Sequence, residues 1–350
     1  MSSRAAGDLR RVPRASVVIP TWNGAELLRA ALESLSRQTY RDFEIIVVDN
    51  GSRDRTRAML AEDFPDVRCI ALPENRGFAA AVNLGIGAAT GEYVALLNND
   101  AEAEPGWLGA LVAALDRHAE AGSVASKMLD AREPGIIDAA GDTMSLFAWN
   151  AGRGERDGPR FAAGREVLSA CAGAAGYRRA LFDEVGLLDE SYTSWFEDVD
   201  LGLRAQLAGF RCWYEPSAVV RHHGSATLGR MSETKTYFTV RNTLKLFFQT
   251  MPLRRVLIWG PAMVLWPWFD PVLTGRPLRV TARAWFAFWP MVPQVLRARR
   301  RAYRGAREGP TRLLALLESP WSDVRRAVDA LWVRVRRSVA RLAGAAADRA

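Results

Sequence analysis

At 350 residues, with 49% hydrophobic and 25% charged side chains, the chain has a globular composition and enough apolar surface for one large core or two smaller ones, which excludes wholesale disorder. Its formal charge of +8 comes from arginine, since Lys127, Lys235 and Lys245 are its only lysines. Basic residues are dense after residue 275, a placement that favours a membrane surface as partner over nucleic acid.

Residues 1–14 are polar and Arg-rich, lack the apolar centre of a secretory signal and are read as a flexible N-terminus. From residue 15 to about 125, short Val/Ile/Leu runs alternate with helical patterns, the rhythm of βαβ units around a parallel sheet and hence of an α/β fold. The run Ser16-Val17-Val18-Ile19 leads into Pro20-Thr21-Trp22-Asn23. Phe43 to Val48 leads into Asp49-Asn50, and Tyr93 to Leu97 leads into Asn98-Asn99-Asp100. Ligands of open α/β sheets bind outside the carboxyl ends of parallel strands, so three polar strand ends predict one shared polar ligand. Between them, Leu27, Leu28, Ala31, Leu32 and Leu35 predict a helix from about Ala25 to Ser36, and Ser52 or Asp54 can cap a second through Met59 and Leu60. Asn75-Arg76-Gly77-Phe78 opens a small-residue helix from Ala79 to Ala89, and Pro105-Gly106-Trp107 opens another to about His118.

Periodicity weakens from 125 to 170, where variable loops and short strands over the sheet are expected. A glycine-rich turn, Ala172-Gly173-Ala174-Ala175-Gly176, precedes a helix near Arg179 to Val185. The run Trp195-Phe196-Glu197-Asp198-Val199-Asp200 starts a helix to Leu207, followed by a short edge strand at Arg211 to Tyr214 and by His222-His223 after the apolar pair Val219-Val220. Beyond residue 250, the apolar window Val256 to Leu273 is interrupted by Pro261, Pro267, Asp270 and Pro271, so residues 251–305 read as a helical region lying in a membrane interface, with a single span as the alternative. Val324, Val328, Leu331, Val335, Val339 and Leu342 recur at helical spacing, making residues 306–350 a basic amphipathic helix that packs on the domain, on a second subunit or on the membrane. Cys69, Cys171 and Cys212 lack the paired spacing of a zinc site or disulfide framework, which fits a reducing cytoplasm.

Taken together, Val17-Val18-Ile19-Pro20-Thr21-Trp22-Asn23-Gly24, Val47-Val48-Asp49-Asn50-Gly51-Ser52, Asn75-Arg76-Gly77-Phe78, Leu97-Asn98-Asn99-Asp100, Phe196-Glu197-Asp198-Val199-Asp200 and His222-His223 resemble the family 2 glycosyltransferases of GT-A fold, over residues 15–250. The similarity is strongest to the rhamnosyltransferase-like branch that builds bacterial cell-surface polysaccharides. The resemblance implies a transferase that moves a sugar, rhamnose in that branch, with inversion from a dTDP- or UDP-sugar to a glycan or lipid-linked acceptor, at the cytoplasmic face of the membrane.

By the same resemblance, Pro20, Thr21, Asn23 and Asp49 hold the nucleotide base, although a strand-end turn and a helix cap equally suit Thr21 and Asn23. Asp49 follows an apolar run with no evident partner. Asn75, Arg76 and Gly77 stand at a helix N-terminus, where amides can face a diphosphate, while a lone loop arginine is also an ordinary surface residue. Where the family carries an aspartate, this chain has Asn98. Asn99 is placed to meet ribose and Asp100 to bind Mg2+ or Mn2+, with His222 a further metal ligand and His223 the second choice. Asp198 is the implied base, with Glu197 beside it, and acidic residues also suit a helix start. Trp195 and Phe196 can stack on an acceptor sugar or serve as core, and Gly173 and Gly176 allow a tight chain path beside the donor sugar. Sugar nucleotidyl transfer and a silent scaffold role in polysaccharide assembly are the competing readings.

Overall fold

Uninterrupted Val, Ile and Leu runs are stable as strands only when both faces are covered, and alternation with amphipathic helices supplies the covers. The computed structural model describes residues 12–145, 149–150, 152–224, 233–274, 276–308 and 310–317. Its first part runs β1 (Ala15–Thr21), α1 (Ala25–Ser36), β2 (Phe43–Asp49), α2 (Thr56–Asp63), β3 (Arg68–Ala71), α3 (Phe78–Ala88), β4 (Tyr93–Leu97), β5 (Ala101–Ala103) and α4 (Trp107–Arg117). Along β1, Val17 and Ile19 join one apolar cluster with Leu28, Leu32 and Leu35 of α1 and Leu111 of α4, whereas Val18 joins a second with Ala79, Val82 and Ile86 of α3. This is the two-residue period of a strand, and it divides the core between the faces of the sheet. Small residues bring α3 close, since a Cβ on Gly85 would lie 2.2 Å from Val18 Cγ1.

The second part contributes β6 (Ala121–Asp130), β7 (Ile137–Ala139), the pair β8 (Thr143–Met144) and β9 (Trp149–Asn150), β10 (Arg165–Val167), β11 (Ala174–Arg178), α5 (Arg179–Val185), α6 (Glu197–Leu207) and β12 (Arg211–His222). The sheet order is β10-β12-β6-β11-β4-β1-β2-β3, with β5 paired to β12 and β7 to β6. Pairings among β1, β2, β3 and β4 and between β12 and β6 are parallel, and β11 is inserted antiparallel between β4 and β6. The expected α/β sheet flanked by helices is the observed architecture.

Two local expectations are corrected. The stretch from 125 to 170 is not only loops and short strands, because its first residues complete β6, a ten-residue strand inside the sheet that ends at Asp130. Arg211 to Tyr214 is not a short edge strand either, since β12 runs twelve residues to His222 with β10 outside it. A register shift between Glu215 and Val219 lets the strand continue past Pro216, which hid its length in the sequence.

Beyond β12 the chain is helical: α7 (Glu233–Thr250), α8 (Leu253–Thr274), α9 (Leu278–Phe288), α10 (Val292–Arg304) and α11 (Pro310–Leu316). Leu246, Phe247 and Met251 of the α7 region pack with Val199, Leu203 and Leu207 of α6, tying this unit to the sheet domain. Helix α8 passes through Pro261, Pro267 and Pro271. Among the described residues, no helix is long and apolar enough to cross a membrane. The expected flexible N-terminus through residue 11 and the amphipathic helix beyond residue 317 lie outside the described residues.

Candidate active site

The polar ends of β1, β2 and β4 meet at one edge of the sheet. Asn99 Nδ2 donates to Thr21 Oγ1 at 3.0 Å, joining the end of β4 to the end of β1. Asn23 is a turn residue with φ of 49°, and its side chain accepts from the Arg53 amide at 2.8 Å while its own amide donates to Ser52 Oγ at 2.9 Å. Asp54, rather than Ser52, ties the helix starts together, accepting from the amides of Thr56 at 3.0 Å and Ala25 at 3.2 Å. Pro20 pairs beside Val48 in the β1–β2 ladder, one residue before Asp49.

Asp49 is fully buried, and the partner missing from the sequence is Arg57 of α2, whose Nε donates to one carboxylate oxygen while the Ser52 amide donates to the other at 2.9 Å. Asn50 organises the next loop. Its amide group donates to Asn75 Oδ1 at 3.1 Å and Gly77 O at 3.0 Å, and its oxygen accepts from the Arg76 amide at 2.8 Å. Gly77 has φ of 91°, which favours glycine at this N-terminus of α3. Arg76 is half-exposed, 3.8 Å from Glu190.

Strand register creates the next group. β5 pairs with β12 so that Ala101 faces His222, and β7 returns along β6 on the other side. His222 is therefore buried between Asp100 and Asp138, with Nε2 3.1 Å from Asp100 Oδ1 and Nδ1 2.7 Å from Asp138 Oδ2. Burial alone would lower the imidazole pKa, but hydrogen bonds and charges of the two aspartates raise it to about 9. Burial pushes Asp138 upward, and the bond to His222 with the charge of Arg153 outweighs it, holding that carboxyl below its ordinary value. His223 turns away to Glu102 at 3.0 Å. Among the described residues, no three His, Cys, Asp or Glu side chains form a cage for a metal ion. Asp100 and His222 still suit an open divalent site: one hard oxygen and one ring nitrogen converge, Asp138 orients the ring from behind, and the remaining positions are left to phosphate oxygens and water.

The glycine-rich turn closes the crevice. Asn98 donates its amide to Gly173 O at 2.8 Å, and its buried Oδ1 has no partner. The neighbouring Ala172 amide donates to Asp198 Oδ2 at 3.0 Å, and the Val199 amide to Asp198 Oδ1 at 2.8 Å. Desolvation nevertheless raises the Asp198 carboxyl above its ordinary value. Glu197 is more buried, its Oε2 has no hydrogen-bond partner among the described residues, and desolvation with the Asp198 charge pushes its carboxyl well above the ordinary range. Gly176 does not join this crevice, being a β11 residue packed against Leu111 of α4.

Trp195 and Phe196 precede the pair with φ of 66° and 73°, and Thr193 has φ of 67°. Non-glycine residues in this region cost on the order of 1–3 kcal/mol each. Asn242 of α7 supports them, its Nδ2 lying 3.1, 2.9 and 2.9 Å from the carbonyls of Tyr192, Ser194 and Trp195. Asn50, Arg57, Asp138 and Asn242 were all missed by sequence reasoning. Asn50 stood inside a quoted motif without a role and Arg57 a few residues beyond it, whereas nothing local marked Asp138 or Asn242.

The family model described as Glycosyl transferase family 2 matches residues 16–186. A Mycobacterium tuberculosis protein named N-acetylglucosaminyl-diphospho-decaprenol L-rhamnosyltransferase is 32% identical over 240 residues, covering 61% of this chain and 77% of that protein. The chain belongs to glycosyltransferase family 2. This family 2 member is also 32% identical over 236 residues to the O-antigen biosynthesis protein RfbC of Myxococcus xanthus, covering 64% of its own length but spanning only 18% of RfbC. The mannosyltransferase PcManGT of Pyrobaculum calidifontis, solved with GDP-Man and Mn2+, shares the fold with a TM-score of 0.50 at 20% identity, over 95% of this chain and 91% of that one.

The raised pKa of His222 has a pH signature. A folded value near 9 against about 6.5 in the unfolded chain means that its stabilising contribution is complete below about pH 6.5 and is lost as pH rises through 9. In chelator, the melting temperature should therefore fall more steeply between pH 6.5 and 9 in the wild type than in His222→Gln. Parallel slopes would mean that the imidazole carries no charge between its two aspartates.

Proposed function

We propose that this family 2 member transfers a sugar from a nucleoside diphosphate to a hydroxyl of a glycan or lipid-linked acceptor in cell-surface polysaccharide synthesis, with inversion. The observation that carries the reading is Asp198, a carboxylate of raised pKa held by two amides at the edge where the nucleotide-side strand ends converge. Raised basicity suits a group that must take a proton from the attacking acceptor hydroxyl. Asp198 accepts that proton while the acceptor oxygen bonds to the anomeric carbon from the side opposite the diphosphate. Burial and the Asp198 charge raise the Glu197 carboxyl, which disfavours a second negative charge behind the base.

Thr21, Asn23, Asp49 and backbone at Pro20 form the base and ribose end of the donor site with Asn99. The loop Asn75-Arg76-Gly77 lies on the diphosphate side and offers the half-exposed Arg76 guanidinium as its charge, and Asn98 and Gly173 flank the sugar. Asp100 and His222 would hold Mg2+ or Mn2+. When bound, such an ion neutralises charge on the departing nucleoside diphosphate. The name of the mycobacterial relative supports a rhamnosyl donor and a lipid-diphosphate acceptor, and Trp195 and Phe196 provide the acceptor surface.

Such an acceptor calls for a membrane surface. Helices α8 and α9 expose Leu257, Ile258, Leu265, Phe269 and Phe286, and α10 exposes Arg297, Arg300, Arg301 and Arg304. Apolar burial and attraction to anionic headgroups, about 1 kcal/mol for each arginine near the surface, together favour peripheral attachment at the cytoplasmic face.

Three outcomes test these assignments. Asp198→Asn should retain nucleotide binding and lose transfer by roughly 10² to 10⁴, because the amide cannot take the proton. Near-normal turnover would remove Asp198 as the base. Chelator should abolish transfer and Mg2+ or Mn2+ restore it, whereas full activity in excess chelator would leave Asp100 and His222 without a metal. The triple variant Leu257→Gln/Phe269→Gln/Phe286→Gln should lose flotation with anionic liposomes, and wild-type flotation of that variant would move the contact elsewhere.

A further inference from the structure

The segment that presents Asp198 is held in part from outside its own sequence. Thr193, Trp195 and Phe196 occupy left-handed backbone conformations without being glycines, and Asn242, fully buried on α7, places one amide nitrogen against the carbonyls of Tyr192, Ser194 and Trp195. The same face of α7 continues the grip. Arg241 donates to the carbonyls of Ser191 at 3.1 Å and Tyr192 at 2.8 Å, Lys245 to Asp189 and Ser191 Oγ at 2.7 Å each, and Gln249 to Asp200 at 2.7 Å. From the opposite side, the Phe78 amide at the start of α3 donates to Thr193 O at 3.0 Å. The segment is thus strung between the nucleotide-side loop and α7, which lies wholly beyond the range matched by the family model.

We propose that Asn242 is a positioning residue for the transfer: its buried amide, seconded by Arg241, holds residues 192–196 in the conformation that aims Asp198 and its aromatic neighbours at the acceptor. The inference rests on the role given to Asp198 above. An amide suits this task because it donates to carbonyls that the left-handed turns deny to any regular ladder. Its loss would displace the base relative to the acceptor while leaving the nucleotide-side strand ends intact. Misplacement by about an ångström can cost on the order of 100-fold in rate.

The test compares wild type, Asn242→Ala and Arg241→Met as full chains by hydrogen exchange, by calorimetric binding of UDP and dTDP, and by turnover across a panel of dTDP- and UDP-sugars. For Asn242→Ala, amides of 192–199 should exchange at least roughly 10-fold faster while those of β1 and β4 are unchanged, and kcat should fall roughly 10- to 100-fold with nucleotide affinity within about twofold of wild type. Arg241→Met, altered at a partly exposed position, should give the same pattern at smaller size, and it carries the test alone if Asn242→Ala does not fold. Unchanged exchange across 192–199 in the folded variants would overturn the proposal. So would a nucleotide affinity that falls in step with kcat, because the residue would then serve donor binding. If wild type binds nucleotide but transfers no sugar from the panel, the reading of Asp198 fails, and the exchange comparison still decides whether α7 holds the segment.

Discussion

A carboxylate taken out of water must be paired, hydrogen-bonded or protonated, and this chain gathers Asp49, Asp100, Asp138, Glu197 and Asp198 around one edge of its sheet. Each is answered differently. Asp49 takes a guanidinium and an amide, Asp100 and Asp138 share an imidazolium, Asp198 rests on two amides, and the Glu197 carboxyl is raised by burial and the Asp198 charge. The differences in compensation separate the roles, because only Asp198 combines raised basicity with partial exposure to the crevice.

These answers come from four separate stretches of chain that the sheet brings together. Arg57 reaches Asp49 from α2, His222 arrives at the end of a twelve-residue strand, and Asp138 returns on a three-residue one. A slip of one residue in β12 against β5 and β6 would turn His222 to the other face and leave two aspartates without their cation. The helices after β12 are part of the same economy. Through α7 they hold the strained approach to Asp198, and through α8 to α10 they expose apolar and arginine side chains, so one unit joins the reaction centre to the proposed membrane contact.

Much of this was legible beforehand. The strand–helix alternation through residue 120 and the polar strand ends were readable because strands covered on both faces need unbroken apolar runs, and ligand-facing ends need polar ones. The helices near Ala25, Phe78, Trp107 and Arg179 followed from periodicity and glycine placement. The length of β12 was hidden by Pro216 and its register shift, and β6 was hidden by the small and polar residues Gly122, Ser123 and Ser126.

Local sequence therefore supplied the groups from which the proposed site is built, since Asp49, Asp100, Asp198 and His222 stand out against their apolar or small neighbours. It also determined the elements that bear them, because periodicity and glycine placement act over a few residues. Tertiary structure alone decided what each does. The partner of a buried charge lies 8, 84 or 122 residues away, as Arg57 is to Asp49, Asp138 to His222 and Asp100 to His222. The backbone leading into Asp198 is likewise bonded by Asn242, placed by a helix with no local signal of that contact. Desolvation and hydrogen bonding act through space, so a linear pattern can supply the groups but not the environment that sets their charge.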